Sequence, residues 1–229
     1  MKTCLYIILL FLVGCEITIT HPDPVEYNDG DSLLLNVSPL PNDYACVVTA
    51  MGMWLKYWDD FKYHSLMDSM GDIVSTQHVE YYAKPKDTQG NLLPDSSILE
   101  DPPQTCLADF FRTSWYTNWC SHGVTARGMI YIGLSEYLEY RKDVYKYSYI
   151  EFDDYGTYTR AIDQGRPVLL IVGTGNSAHA ILGVGYVRSN STYLVYDSFC
   201  SLRKHKWYAK TLEEDWIMIK ATDFQLKYK

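Results

Sequence analysis

The chain divides by its pattern of apolar and polar positions. Residues 46–58, CVVTAMGMWLKYW, are apolar on every side of a helical projection. That predicts a helix buried in the core, because a surface helix keeps a polar face. Asp43 stands where an N-cap residue would, which puts Cys46 in the first helical turn. A second helical period runs through MIYIGLSEYLEYRK, 129–142, with Ile132, Tyr137 and Leu138 as part of its inward stripe. A third helix is predicted in DDYGTYTRAIDQGRP, where Gly165 caps the end and Pro167 stops continuation. From there the pattern changes to short β-branched runs: PVLLIVG (167–173), AHAILGVGYV (178–187), TYLVYD (192–197) and DWIMIK (215–220). The polar RSNS between the second and third runs predicts an antiparallel hairpin. Helices first and strands afterwards make an α+β domain, its N-terminal buried helix packed on a C-terminal antiparallel sheet. The stretch from Asp59 to Gly128, with KPKDTQGNLLPDSS and EDPPQT, reads as short helices and loops.

Composition narrows the function classes. The 229 residues suffice for one domain with a substantial core. Net charge is −8 and no dense Lys/Arg patch occurs, which argues against nucleic acid as a partner. The 21 tyrosines fit core and half-buried sheet packing.

The N-terminus reads MKTCLYIILLFLVGC: one lysine, a short apolar run, then Gly14 and Cys15. The run has the length of a signal-peptide core and is too short to span a bilayer. LVGC resembles the lipobox of bacterial lipoproteins. The resemblance implies cleavage before Cys15, lipid on its sulfur, and a chain anchored to a membrane of the bacterial envelope. The expected divisions are a signal peptide over 1–14, a tether over 15–31 rich in Pro, Asp, Asn and Gly, and the folded domain over 32–229. With Cys4 removed and Cys15 lipidated, Cys46, Cys106, Cys120 and Cys200 remain. Four thiols in an oxidising compartment allow two bridges. If Cys46 stays reduced, Cys106 and Cys120 are the most local pair, and Cys200 is free or paired with either.

Three residues form a chemical series in chain order. Cys46 begins the buried helix, His179 lies near the start of a strand after GTGNS, and Asp197 ends the next strand. Thiolate is the reactive form of cysteine. A first-turn position and a neighbouring imidazolium both favour it. The histidine then returns the proton to the leaving amine, and a group on its other ring nitrogen fixes tautomer and orientation. Each residue also has a plainer role: a buried thiol, a core histidine, an aspartate that starts a turn. The remaining histidines show no metal-ligand spacing, so neither metal nor other cofactor is expected. The glycines of IVGTGNS lead into a strand and not a helix, unlike a phosphate loop.

YACVVTAMGMWLKYW, GRPVLLIVG, AHAILGVGY and YLVYDSF together resemble a papain-like cysteine peptidase, of the bacteriocin-processing-peptidase-like or the streptopain-like family. The resemblance implies peptide-bond hydrolysis with Cys46 as nucleophile, His179 as base and acid, and Asp197 orienting it. The implied partner is a peptide or protein substrate. Such enzymes usually carry a glutamine before the cysteine as an oxyanion donor. None precedes Cys46 here, and the nearest upstream amide is Asn42, with Asn36 a second candidate. The glycine that often flanks the cysteine is also absent, since Ala45 and Val47 hold those places. Two alternatives stand beside the peptidase: an inactive papain-like binding or adhesion lipoprotein, and a peptidoglycan amidase or endopeptidase. Enzymes of the latter kind usually place an aspartate where this chain has Ala45.

Overall fold

A computed structural model describes residues 24–40, 45–63, 66–67, 107–115, 123–142, 145–174, 177–197, 202–206 and 217–229. Among them are three longer helices, α1 (Cys46–Phe61), α3 (Arg127–Lys142) and α4 (Tyr155–Asp163), and a one-turn helix, α2 (Leu107–Phe110). The strands in chain order are β1 (Val25–Asn28), β2 (Ser32–Leu35), β3 (Ser114–Trp115), β4 (Gly123–Val124), β5 (Tyr145–Phe152), β6 (Val168–Thr174), β7 (Ser177–Val187), β8 (Thr192–Tyr196), β9 (Leu202–Lys206) and β10 (Ile217–Tyr228). Apart from the small β3–β4 pair, all strands join one sheet in the order β1-β2-β7-β6-β10-β5, with β8 on β7 and β9 on β8. Every pairing is antiparallel. The architecture is the expected α+β arrangement, with an N-terminal buried helix packed on an antiparallel sheet.

α1 is buried from Val47 through Asp59, as its lack of a polar face predicts. It packs on β7, and Trp54 meets Phe224 of β10 edge-on at 5.8 Å. The helix begins later than an N-cap at Asp43 would require. Ala45 is the N-cap and offers no side-chain cap, while its carbonyl accepts both the main-chain N–H and the hydroxyl of Thr49. Asp43 itself lies outside the described residues.

The inward stripe of α3 is Ile130, Leu134, Tyr137 and Leu138. Ile132 is 45% exposed and is corrected to the outward face. It sits two positions from Ile130 and from Leu134, about half a turn away from the stripe. α4 ends as predicted: Gly165 takes φ 70°, where a side chain would be strained. Asp154 caps the other end by accepting from the N–H of Thr157 at 2.7 Å.

The stretch read as a tether is partly sheet. Val25–Asn28 pairs with Ser32–Leu35, and the polar residues between them form the turn. Oδ1 of Asp29 accepts from the N–H groups of Asp31 and Ser32, and Gly30 takes φ 88°. β10 runs eight residues beyond the predicted DWIMIK, and β5 and β9 lie where no strand is predicted.

β7 organises the sheet. One edge carries β6 along Ser177–Gly183 and β2 along Gly185–Val187, while the opposite edge carries β8 from Leu182 onward. Tyr158 of α4 is fully buried behind the change of partner and donates to the carbonyls of Gly185 and Leu194. A Cβ on Gly183 would lie 2.6 Å from its ring, so only glycine fits there.

Candidate active site

α1, β7 and the end of β8 bring three predicted residues to one place. Cys46 is the first residue of α1, a free thiol partly open to solvent. His179 lies on β7 opposite Val172 of β6, half-buried. Asp197 follows the last residue of β8 and is 2% exposed. Cys46 and His179 are hydrogen-bonded to each other. Nε2 of His179 lies 3.1 Å from the main-chain oxygen of Asp197. A carbonyl only accepts, so Nε2 carries the hydrogen and Nδ1 is the basic nitrogen of the neutral ring.

Main-chain groups complete the surroundings. β8 pairs with β7 only from Leu182 onward, which leaves that edge of β7 at Ala180 clear of the ladder. The main-chain amide of Ala180 there, and that of Val47 in the first turn of α1, both favour the thiolate. Burial pushes the Cys46 thiol up. The hydrogen bond and positive charge of His179, then these two N–H groups, outweigh it and hold the thiol below its ordinary value. Burial pushes the imidazole of His179 down. Its hydrogen bond and charge interaction with Cys46, aided by Asp197, outweigh that and raise it. Each shift favours a thiolate beside an imidazolium, the charge state of an activated nucleophile.

Residue type and order point to Cys46, His179 and Asp197. The N–H of Ala180 and the carbonyl of Asp197 escape such a reading, because a main-chain group leaves no trace in residue identity. Cys15, Asn42, Cys106, Cys120 and Cys200 lie outside the described residues.

A family model described as Peptidase_C39 like family matches residues 34–224. The chain belongs to the Peptidase_C39-like family. The match spans α1 and all three residues of the candidate site, and it begins within β2 and ends within β10. No curated protein matches the chain. Membership makes the domain a papain-like cysteine peptidase domain, with a peptide or protein as the implied substrate class.

Proposed function

We propose that this Peptidase_C39-like protein is an active thiol peptidase, held on a bacterial envelope membrane by lipid on Cys15. The Cys46 thiolate attacks the scissile carbonyl carbon. The main-chain N–H of Cys46, joined by Asn42, receives the developing oxyanion. His179 gives its Nδ1 proton to the amine as the C–N bond breaks, leaving a thioester on Cys46. Water then attacks that thioester. His179 takes its proton, the acid product departs, and the thiolate–imidazolium pair is restored. Asp197 keeps His179 in place.

The observation that carries this reading is the hydrogen bond between Cys46 and His179, with the sulfur at a helix start and partly open to solvent. The test compares wild-type protein with Cys46→Ala on a mixed peptide library read by mass spectrometry. Cleavage should fall at least ~10³-fold in the variant. Undiminished cleavage by Cys46→Ala would overturn the assignment. A wild-type protein that neither cleaves peptides nor reacts faster than an ordinary thiol with iodoacetamide at neutral pH would be the inactive binding lipoprotein.

A further inference from the structure

Across the sheet one row of residues leads away from the candidate nucleophile. Ala180 of β7 lies opposite Ile171 of β6, and Ile171 lies opposite Lys220 of β10. Residues directly opposite in an antiparallel ladder share a face, so the three side chains stand on one side of the sheet. A bulge between Met218 and Lys220 sets this register and brings the lysine, rather than Ile219, opposite Ile171. The face is the one that α1 covers: Thr222 and Phe224 alternate onto it from Lys220, and Trp54 of α1 meets Phe224. Cover over this face stops at the row. Leu169, Thr222 and Phe224 are buried, whereas Ile171 and Lys220 are partly exposed. α1 begins at Cys46, whose thiolate the main-chain amide of Ala180 favours, so the open row starts at the nucleophile. We propose that Lys220 is a specificity-determining residue, which pairs with an acidic side chain of the peptide substrate within three residues of the cut bond.

The inference deepens the peptidase reading and rests on it. Two strand spacings set the backbone of Lys220 about 10 Å from that of Ala180. An extended peptide covers that span in about three residues. A lysine stem lies along apolar surface, here beside Ile171, while its ammonium reaches outward. The charges around that ammonium favour an anion. The carboxylate of Glu151 is already held by the hydroxyl of Tyr131 at 2.5 Å and by the guanidinium of Arg127, and Lys220 acts on it by charge. Among the described residues no carboxylate is ion-paired with Lys220. Two cations and one anion leave this corner of the row with surplus positive charge. A substrate carboxylate that meets a partly desolvated ammonium gains a charge-assisted hydrogen bond, which an amide or an apolar side chain does not match.

The test gives the wild-type chain a mixed peptide library and reads the cut sites by mass spectrometry. Those sites should be enriched in Glu and Asp at one position within three residues of the cut. Lys220→Met should lose the preference, with kcat/KM on a Glu peptide falling at least about tenfold and that on its Gln counterpart unchanged. Lys220→Arg should keep the preference, and Lys220→Glu should select Lys and Arg in its place. Should Lys220→Met not fold, Lys220→Glu and Lys220→Arg carry the same contrast. Cleavage without acidic preference, or a preference that Lys220→Met retains, overturns the proposal and leaves the peptidase reading intact. If the wild-type chain cleaves nothing, the peptidase reading fails and binding decides. Two acetylated hexapeptide pools, one bearing Glu and the other Gln, are then titrated with the chain by fluorescence anisotropy. Tighter binding of the Glu pool that Lys220→Met abolishes keeps Lys220 as a contact for acidic peptides. Equal binding of the two pools overturns it.

Discussion

At the scale of single residues, the site is a balance between burial and contact. Burial alone would keep Cys46 a thiol and His179 a neutral ring, and their mutual contact reverses both. The sign of the pH dependence follows. A lowered thiol releases its proton at a pH below its ordinary range, and a raised imidazole keeps its proton to a pH above its own. The two shifts move toward each other and so raise the share of the ion pair, whose acid limb is set by Cys46 and whose alkaline limb is set by His179. Substituting Cys46→Ser removes the sulfur's hydrogen bond and charge from His179. The imidazole should then titrate at lower pH than in wild type, followed by ¹H–¹⁵N NMR. An unmoved titration would mean that the two side chains do not interact. Which residue types make the site is legible in the sequence, because nucleophile, base and carboxylate each announce themselves. The main-chain contact to Nε2 of His179 is not, since any residue at 197 brings a carbonyl.

At the scale of elements, legibility follows chemistry. α1, β6, β7 and β8 are continuous apolar runs, and burial on both sides leaves no other reading for them. β5 and the far half of β10 pair from Ala221↔Phe152 to Tyr228↔Tyr145, and their apolar positions alternate with Lys, Ser, Gln and Asp. Such strands are defined by their partners, which a local pattern does not display. β10 also carries a buried charge that the sequence hides. Asp223 is 4% exposed and is held by Arg166, with Nε 3.0 Å from both carboxylate oxygens and a second guanidinium nitrogen 2.9 Å from Oδ2. The arginine belongs to GRP, read from sequence only as a helix stop. Removing it with Arg166→Ala leaves the carboxylate buried with Gln225 as its described donor. The variant should lose about 3 kcal/mol in urea unfolding with an unchanged m-value. A loss under 1 kcal/mol would show that the pair is solvated.

At the scale of the whole molecule, the first strands fix where the chain joins the sheet. β1 and β2 join the sheet through the edge of β7 that also carries β6, while β8 and β9 lie on the opposite edge. No helix among the described residues is long and apolar enough to cross a membrane. In the lipoprotein reading the attachment is lipid on Cys15. Cys15→Ala should move the protein from the detergent phase to the aqueous phase in Triton X-114 partitioning while leaving cleavage by the released domain intact. Equal partitioning of the two would remove the lipid from the account.

The sulfur of Cys46 sits near the front of the domain, and the groups that activate it, His179 and the N–H of Ala180, come from a strand near its back. A chain emerging from synthesis therefore carries an ordinary, sluggish thiol until its last third has been made and docked. Its nucleophile switches on only with completion, and the rate of labelling at this one atom becomes a clock for when the newborn protein is finished.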